Sequence, residues 1–223
     1  MNRHLLGIVS ALSIAAATAG VAKADSMVTV PTGLYGSFYG GWSMPKDPTA
    51  SFTVNPNTVQ GNVNVSQGYR FGGSIGYDFS SNVAVEAELA YMHSNVSTID
   101  VGAPVNLTLP APGTGSALLL MGNVVVGEHF GSWRPYIGGG IGAARVSLDV
   151  DFMSGIHDSD WAFAGQVFTG IDYALSDKVT VGARYRYQHI GSTNYTDGNS
   201  LPVGLSEIGA HSIEFGLKFS FGG

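Results

Sequence analysis

The chain has 223 residues, of which 44% are hydrophobic, 12% are charged and 32 are glycine. Ordinary soluble domains carry about 25% charged residues and about 7% glycine. So much glycine argues against a helical bundle, because each one weakens a helix by about 1 kcal/mol. The formal net charge of −6 argues against a protein that binds nucleic acid. The absence of cysteine excludes disulfide frameworks and cysteine-ligated zinc, and no cofactor is expected.

The N-terminal segment has the features of an export signal. Residues 5–17 are apolar and small, and Ala22 and Ala24 form an A-x-A cleavage site. A short membrane anchor is the alternative, but this apolar run is shorter than the ~20 residues that a spanning helix needs. We therefore expect residues 1–24 to be a cleaved signal peptide and residues 25–223 to form one domain.

The rest of the chain repeats one design. Segments of about ten residues alternate apolar side chains with polar or small ones, which is the period-2 signal of strands. In the clearest segment, Ile213 and Phe215 flank Glu214. The eight predicted strands cover residues 34–42, 69–79, 83–92, 117–126, 136–145, 162–172, 179–188 and 212–221. An even number of such strands predicts an all-β fold, an antiparallel up-and-down barrel.

The connections between these strands differ in length. The short ones are 79–82, 127–132 and 174–178. The long polar ones are 44–67, 93–115, 147–160 and 190–210. Short periplasmic turns and long extracellular loops are typical of a transmembrane barrel in an outer membrane. Segments 62–66 and 146–152 also alternate, so two strands are expected to project beyond the membrane.

Aromatic residues end the apolar faces of the strands. Two aromatic girdles around an apolar band are the pattern of a lipid-facing surface. A soluble lipocalin-like barrel would explain the strands but not both girdles. The predicted girdle residues are Trp42, Tyr69, Tyr77, Phe79, Tyr91, Trp133, Trp161, Tyr173, Tyr187, Phe219 and Phe221.

Charged residues mark the opposite faces. The predicted lumen charges are Arg70, Asp78, Glu86, Glu88, Asp172, Arg184, Arg186, Glu214 and Lys218. An eight-stranded barrel is so narrow that its interior side chains fill it. The two glutamates near residue 87 and the two arginines near residue 185 lie on opposite strands, so they are expected to meet near the axis. Such a network either plugs the barrel or acts as a gate whose partners exchange.

Several motifs resemble a known family. The glycine-rich first strand, the run Trp133 to Gly142, the run Ala183 to Tyr187 and the aromatic last strand are similar to small Gram-negative outer-membrane barrels, called opacity-protein-like, OmpA-barrel-like or porin-family proteins. The resemblance implies an outer-membrane location, contact with membrane lipid and lipopolysaccharide, and insertion by the barrel-assembly machinery. Gly222 and Gly223 depart from the aromatic ending that this machinery reads in the family.

The resemblance allows three functions. The first is a structural and surface-interaction scaffold, serving envelope integrity, adhesion or as a surface antigen, whose loops meet an extracellular protein or host partner. The second is a narrow passive channel gated by the Glu–Arg network. The third is an enzyme like the lipid A deacylases, but His189 and Ser192 are three residues apart, which puts them on opposite faces of a strand. We therefore expect no enzyme, and the histidines show no metal-ligand spacing.

Overall fold

The computed structural model describes residues 33–54, 57–101, 107–150, 156–196 and 202–221. The predicted cleavage residues Ala22 and Ala24, like the two terminal glycines, lie outside these ranges. In the described part of the chain, no helix is long and apolar enough to cross a membrane. The strands are β1 (Gly33–Pro45), β2 (Thr49–Val54), β3 (Asn57–Val65), β4 (Gly68–Asp78), β5 (Val83–Val101), β6 (Leu107–Gly127), β7 (Trp133–Val150), β8 (Ile156–Ala174), β9 (Val179–Ile190), β10 (Thr193–Thr196), β11 (Pro202–Leu205) and β12 (Ile208–Ser220).

Eight of these strands close into a ring. The order β1-β4-β5-β6-β7-β8-β9-β12 returns to β1, and every neighbouring pair is antiparallel. The first and last strands close it, from Tyr35 opposite Ser220 to Pro45 opposite Ala210. A closed ring leaves no strand edge unpaired. The predicted eight-stranded antiparallel barrel is confirmed.

The two ends of the ring differ. Three short connections, together with the start of β1 and the end of β12, lie at one end, called here the turn end. The opposite end is called here the far end. There β5 to β8 extend beyond the other strands of the ring, and β3 pairs with β5 directly after the part of β5 that pairs with β4. The short strands β2, β11 and β10 follow beside β3. We call this part the extension: β2, β3, β10, β11 and the far ends of β5 to β8.

The extension corrects the prediction of long loops. Most of the described residues in the four polar connections form strands, and the alternating segment 62–66 lies largely within β3. Segment 146–152 is β7 as far as Val150, and its last residues lie outside the described ranges. Asparagine, threonine and serine there favour loops locally, but the ladders to neighbouring strands, such as Val63 opposite Ile99, satisfy the backbone.

The polarity of the two faces inverts along β5. Near the turn end, Val85 and Leu89 point outward and Glu86 is buried inside. In the extension, Val96 and Ile99 are buried inside. One half of β5 thus has its apolar side chains on the outer face, and the other half has them on the inner face. The outer faces of the two halves must therefore be in contact with different media. The inversion indicates that the apolar surrounding ends near residue 92.

Glycines make room for large side chains inside the ring. A side chain at Gly76 would overlap the ring of Tyr35, and one at Gly138 would overlap the ring of Phe168. Both aromatic rings are buried in the lumen. The narrow barrel can therefore hold aromatic rings only where the facing residue has no Cβ, which accounts for part of the high glycine content.

Candidate functional site

The centre of the lumen holds four charged side chains, called here the charge cluster: Arg70 of β4, Glu88 of β5, Arg186 of β9 and Glu214 of β12. None has any exposed side-chain surface. Arg186 Nη1 lies 3.1 Å from both oxygens of Glu88, and its Nε and Nη2 donate to Glu214 at 3.0 and 3.1 Å. Arg70 Nη2 donates to Glu88 at 2.7 Å, and its Nε forms an ion pair with Glu214 at 3.1 Å. Each arginine therefore contacts both carboxylates.

Neutral side chains add hydrogen bonds to the charge cluster. Asn123 and Gln166 donate to Glu88 Oε2 at 2.8 and 3.1 Å. Gln188 accepts from Arg70 at 3.2 Å, and Ser212 donates to Glu214 at 2.8 Å. A buried ion pair is tolerated when further hydrogen bonds replace the lost water. The cluster is thus a compensated polar core, and these neutral partners had not been assigned to it from the sequence.

Glu86 and Arg184 lie on the turn side of the charge cluster but do not pair with each other. Tyr35 donates its hydroxyl to Glu86 at 2.9 Å. Arg184 Nε donates to the hydroxyl of Tyr136 at 3.0 Å. Of the two expected contacts across the lumen, the structure therefore contains the one made by Glu88. The expected contact between Glu86 and Arg184 is replaced by hydrogen bonds to two tyrosines, and nothing in the sequence predicts these partners.

Arg134 is a lumen cation that was missed in the sequence analysis. It is buried, with Nη2 3.9 Å from Asp78, which also accepts from Lys218 at 2.9 Å. Because Trp133 points outward, strict alternation would have placed Arg134 inside.

All nine predicted charges also line or fill the lumen. The cations are Arg70, Arg134, Arg184, Arg186 and Lys218, and the anions are Asp78, Glu86, Glu88, Asp172 and Glu214. The lumen is therefore formally neutral.

The charge cluster separates two cavities. The cavity on its turn side has about 40 Å³ and is lined by Glu86, Arg134, Asp172 and Lys218 among others. That is room for about three water molecules. The cavity on its far side has about 90 Å³. Because the four cluster side chains have no exposed surface, the barrel is closed between the two cavities.

The cavity on the far side, called here the chamber, is apolar. Its lining includes Val63, Val96, Val146, Leu148, Ile156 and Val203. These residues belong to β3, β5, β7, β8 and β11, so the walls come from the extension. An apolar cavity and a cluster of buried charges thus lie next to each other along the barrel axis.

Side chains close the extension between β8 and β10. Among the described strands, these two neighbours form no backbone ladder. Instead, the amide of Asn194 donates to Asp160 at 2.9 Å, and the amide of Thr196 donates to Asp158 at 3.1 Å. We call this contact the seam. At the seam, the two aspartate carboxylates accept the hydrogen bonds that backbone carbonyl groups accept in a regular ladder.

Two ionisable groups of the extension have shifted pKa values. Hydrogen bonds from Thr108 at 2.6 Å and Asn64 at 2.9 Å hold the pKa of Asp100 below its usual value. Burial raises the pKa of Tyr195 to about 12. Tyr195 points inward from β10, and its hydroxyl donates to the carbonyl of Val146 at 3.5 Å. Neither group titrates near neutral pH.

The predicted girdle residues all lie on outward faces. They form two levels, and several are in contact within a level. At the turn end the rings of Trp133 and Tyr173 are 4.6 Å apart, and at the far end those of Tyr69 and Tyr91 are 6.4 Å apart. Exposed Leu120 and Phe163 are among the apolar residues of the band between them.

In the part of the chain that the structure describes, the histidines do not form a serine-hydrolase or metal site. Among the described residues, no group of three or more His, Asp or Glu side chains could hold a metal ion. His189 lies 3.7 Å from Glu207. Ser192 is exposed, and no hydrogen bond joins it to His189 in the described part of the chain. The nucleophile–base contact of a serine hydrolase is not formed.

Comparison with protein families decides the classification. The sequence matches the outer membrane protein beta-barrel domain over residues 7–221. The chain belongs to this family. It is therefore a protein of the Gram-negative outer membrane, and by the usual orientation the turn end faces the periplasm and the extension faces outward. Comparison with curated proteins gives no significant sequence match.

Solved structures share the barrel. Neisserial surface protein A has a TM-score of 0.53 at 16% identity, with 85% of this chain and 98% of that chain covered. OprG from Pseudomonas aeruginosa has a TM-score of 0.54 at 19% identity, with 85% of this chain and 97% of that chain covered. The outer membrane protease OmpT from Escherichia coli has a TM-score of 0.53 at 9% identity, with 88% of this chain and 99% of that chain covered. At these identities the likeness concerns the fold alone, and one fold carries different functions.

Proposed function

We propose that this protein is a closed membrane anchor whose extension is a contact surface outside the cell. The charge cluster carries this proposal. Four fully buried side chains, which contact one another and three neutral side-chain amides, fill the lumen where an ion would have to pass. Breaking such a buried network is costly, so an ion path does not open by thermal motion alone.

The charge of the extension supports a contact role. Its described acidic residues are Asp100, Asp149, Asp158 and Asp160, and its described basic residue is Arg145; Asp47, Glu207 and Lys46 lie in the connections beside it. Acidic and basic surfaces attract each other and speed up association. A protein with a basic surface is therefore the partner that this extension fits, rather than an anionic polysaccharide.

The first test is conductance in a planar lipid bilayer. The refolded protein should insert, as shown by a heat-modifiable gel band, and should give no discrete current steps. The double variant Arg70→Ala and Arg186→Ala removes both arginines from the centre of the lumen and should give steps if it folds. The matched control is Arg145→Ala, which lies outside the lumen and should stay silent. Steps from the unmodified protein would instead favour a gated channel.

The contact role needs its own test. Vesicles that carry the protein should bind a basic protein, for which lysozyme serves as a probe, more tightly than empty vesicles do. Binding should weaken in the variant Asp149→Asn with Asp158→Asn, and also as the salt concentration rises. Equal binding by both kinds of vesicles would contradict the contact role, while the conductance result would still stand.

We propose no catalytic activity for this protein. His189 contacts Glu207 rather than Ser192, so this serine is not paired with that histidine. Lipid A from cells that produce the protein should have the same acyl chains, by mass spectrometry, as lipid A from cells that lack it. Loss of an acyl chain would overturn this part of the proposal.

A further inference from the structure

We propose that the chamber is a binding site for the end of one alkyl chain. This site is separate from the proposed contact surface, because it lies inside the extension and not on its exterior. Three features carry the inference: the chemistry of the chamber walls, the free space at one glycine, and the position of the nearest charged side chain.

The walls of the chamber offer almost nothing to a polar ligand. Val63, Val96, Ile156, Val203 and Leu205 contribute aliphatic side chains from four strands, and all are buried. A trapped water needs two to four polar partners, and these aliphatic side chains supply none. An apolar cavity of this kind stays dry and takes up small apolar molecules.

The free space reaches the wall at Gly115 of β6. A Cβ built on Gly115 would meet only Leu148 Cδ2, at an ordinary contact distance of 3.6 Å. On the turn side of the charge cluster the situation is the opposite, because added Cβ atoms at Gly76 and Gly138 overlap aromatic rings. The unfilled volume of the lumen is therefore concentrated in the chamber.

The ligand is a chain without a head group inside the chamber. Lys46 belongs to the lining, but its ammonium group lies 5.4 Å from the centre of the ring of Tyr187, on the outer face. The volume of about 90 Å³ is smaller than the ~150 Å³ of a cavity that holds benzene. A slim alkyl end fits this volume better than a ring does. It could belong to a free apolar molecule or to an acyl chain of a lipid.

The test uses nuclear Overhauser contacts between a probe and the chamber. The full protein is refolded in a detergent with deuterated chains, with protonated methyl groups on Ile, Leu and Val, and n-hexane is added. Contacts are expected to the methyl groups of Ile156, Val203 and Leu205. In a second sample without hexane, protonated detergent chains replace the deuterated ones. Contacts to the same methyl groups there would identify an acyl chain as a source.

Two substitutions make the test specific. Gly115→Leu fills the chamber and should abolish the contacts to the chamber methyl groups. Gly165→Leu is the matched control, because a Cβ at Gly165 meets no atom within 4 Å and Gly165 lies on the outer face of β8; it should keep them. If Gly115→Leu does not fold, Ala117→Leu fills the chamber from the same strand. Absence of contacts in both samples, or unchanged contacts in a folded filled variant, would overturn the proposal.

Discussion

Glu88 and Arg186 meet across the full width of the barrel. Their strands, β5 and β9, are four positions apart in a ring of eight, yet Nη1 of Arg186 lies 3.1 Å from both carboxylate oxygens. The guanidinium of Arg186 also packs against the rings of Tyr39 and Phe168, whose centres lie 5.2 and 5.0 Å from its central carbon. The contact between Glu88 and Arg186 fixes the distance between opposite walls and closes the lumen at one level.

Removing one arginine of the charge cluster should destabilise the barrel strongly. In Arg186→Ala, Glu88 and Glu214 keep Arg70 as their only arginine while remaining buried. Breaking a buried pair costs about 3–5 kcal/mol, so the urea midpoint of unfolding in lipid vesicles should fall clearly. The control Arg145→Ala removes an exposed arginine that contacts Ser159 and should change stability by less than about 1 kcal/mol. An unchanged midpoint in Arg186→Ala would mean that the cluster adds no stability.

A side chain at Gly76 should be tolerated much less well than one at Gly165. Gly76→Val forces the ring of Tyr35 away and breaks its hydrogen bond to Glu86. Overpacking costs about 1–3 kcal/mol, and the unpaired buried carboxylate adds to this. Gly165→Val enters open space on the outer face. Unfolding in urea measures both variants, and combining Gly76→Val with Tyr35→Ala should recover part of the loss. Equal stability of the two valine variants would contradict the steric explanation.

The seam should open when its carboxylates are removed. In the double variant Asp158→Ala and Asp160→Ala, the amides of Asn194 and Thr196 lose their acceptors. Their hydrogen exchange should become at least about fivefold faster, since hydrogen bonds to charged groups contribute about 1.5–3 kcal/mol and exposure to water reduces this. The control Asp149→Ala removes a carboxylate whose ion-pair partner among the described residues is His157, at 2.7 Å. It should leave exchange at β10 unchanged, and a uniform change in both variants would argue against the seam.

Acid should loosen the junction of β3, β5 and β6. The pKa of Asp100 is lower in the folded protein than in the unfolded chain. Its contribution is therefore complete above the unfolded value of about 3.9 and is lost as the pH falls through the folded value. Hydrogen exchange at Asn64 and Thr108, corrected for intrinsic rates, should lose protection below about pH 4. In Asp100→Asn this pH dependence should disappear, and its persistence would assign the effect to another group.

The membrane-spanning half of the fold could be read from the sequence because one rule governs it. Strict alternation placed Glu214 inside and Phe215 outside, and the closed ring agrees with it residue by residue. The same rule applied at Trp133 would have revealed Arg134. Alternation gives the face on which a side chain lies, but it does not give its partner, so the tyrosines that bind Glu86 and Arg184 could not be predicted.

The extension was misread because its outer surroundings differ. Most serine, threonine and asparagine side chains point outward there, with Ser94 and Thr193 as buried exceptions. A polar stretch with these residues resembles a loop. The signal that could have corrected this lies in β5, where the apolar face changes sides between Leu89 and Val96. An alternation that continues with inverted faces indicates a strand that leaves the membrane, rather than the end of a strand.

The charge cluster also constrains how the chain can become a barrel. Its carboxylate on the last strand, Glu214, binds arginines from β4 and β9, so the two ends of the sequence must meet before both cations are neutralised. A sheet that has formed all strands but the last would expose Arg70 and Arg186 with a single carboxylate, Glu88, between them. Such a sheet enters hydrocarbon unfavourably. Charge neutralisation thus accompanies closure, and an incomplete barrel is disfavoured from leaving the site of its assembly.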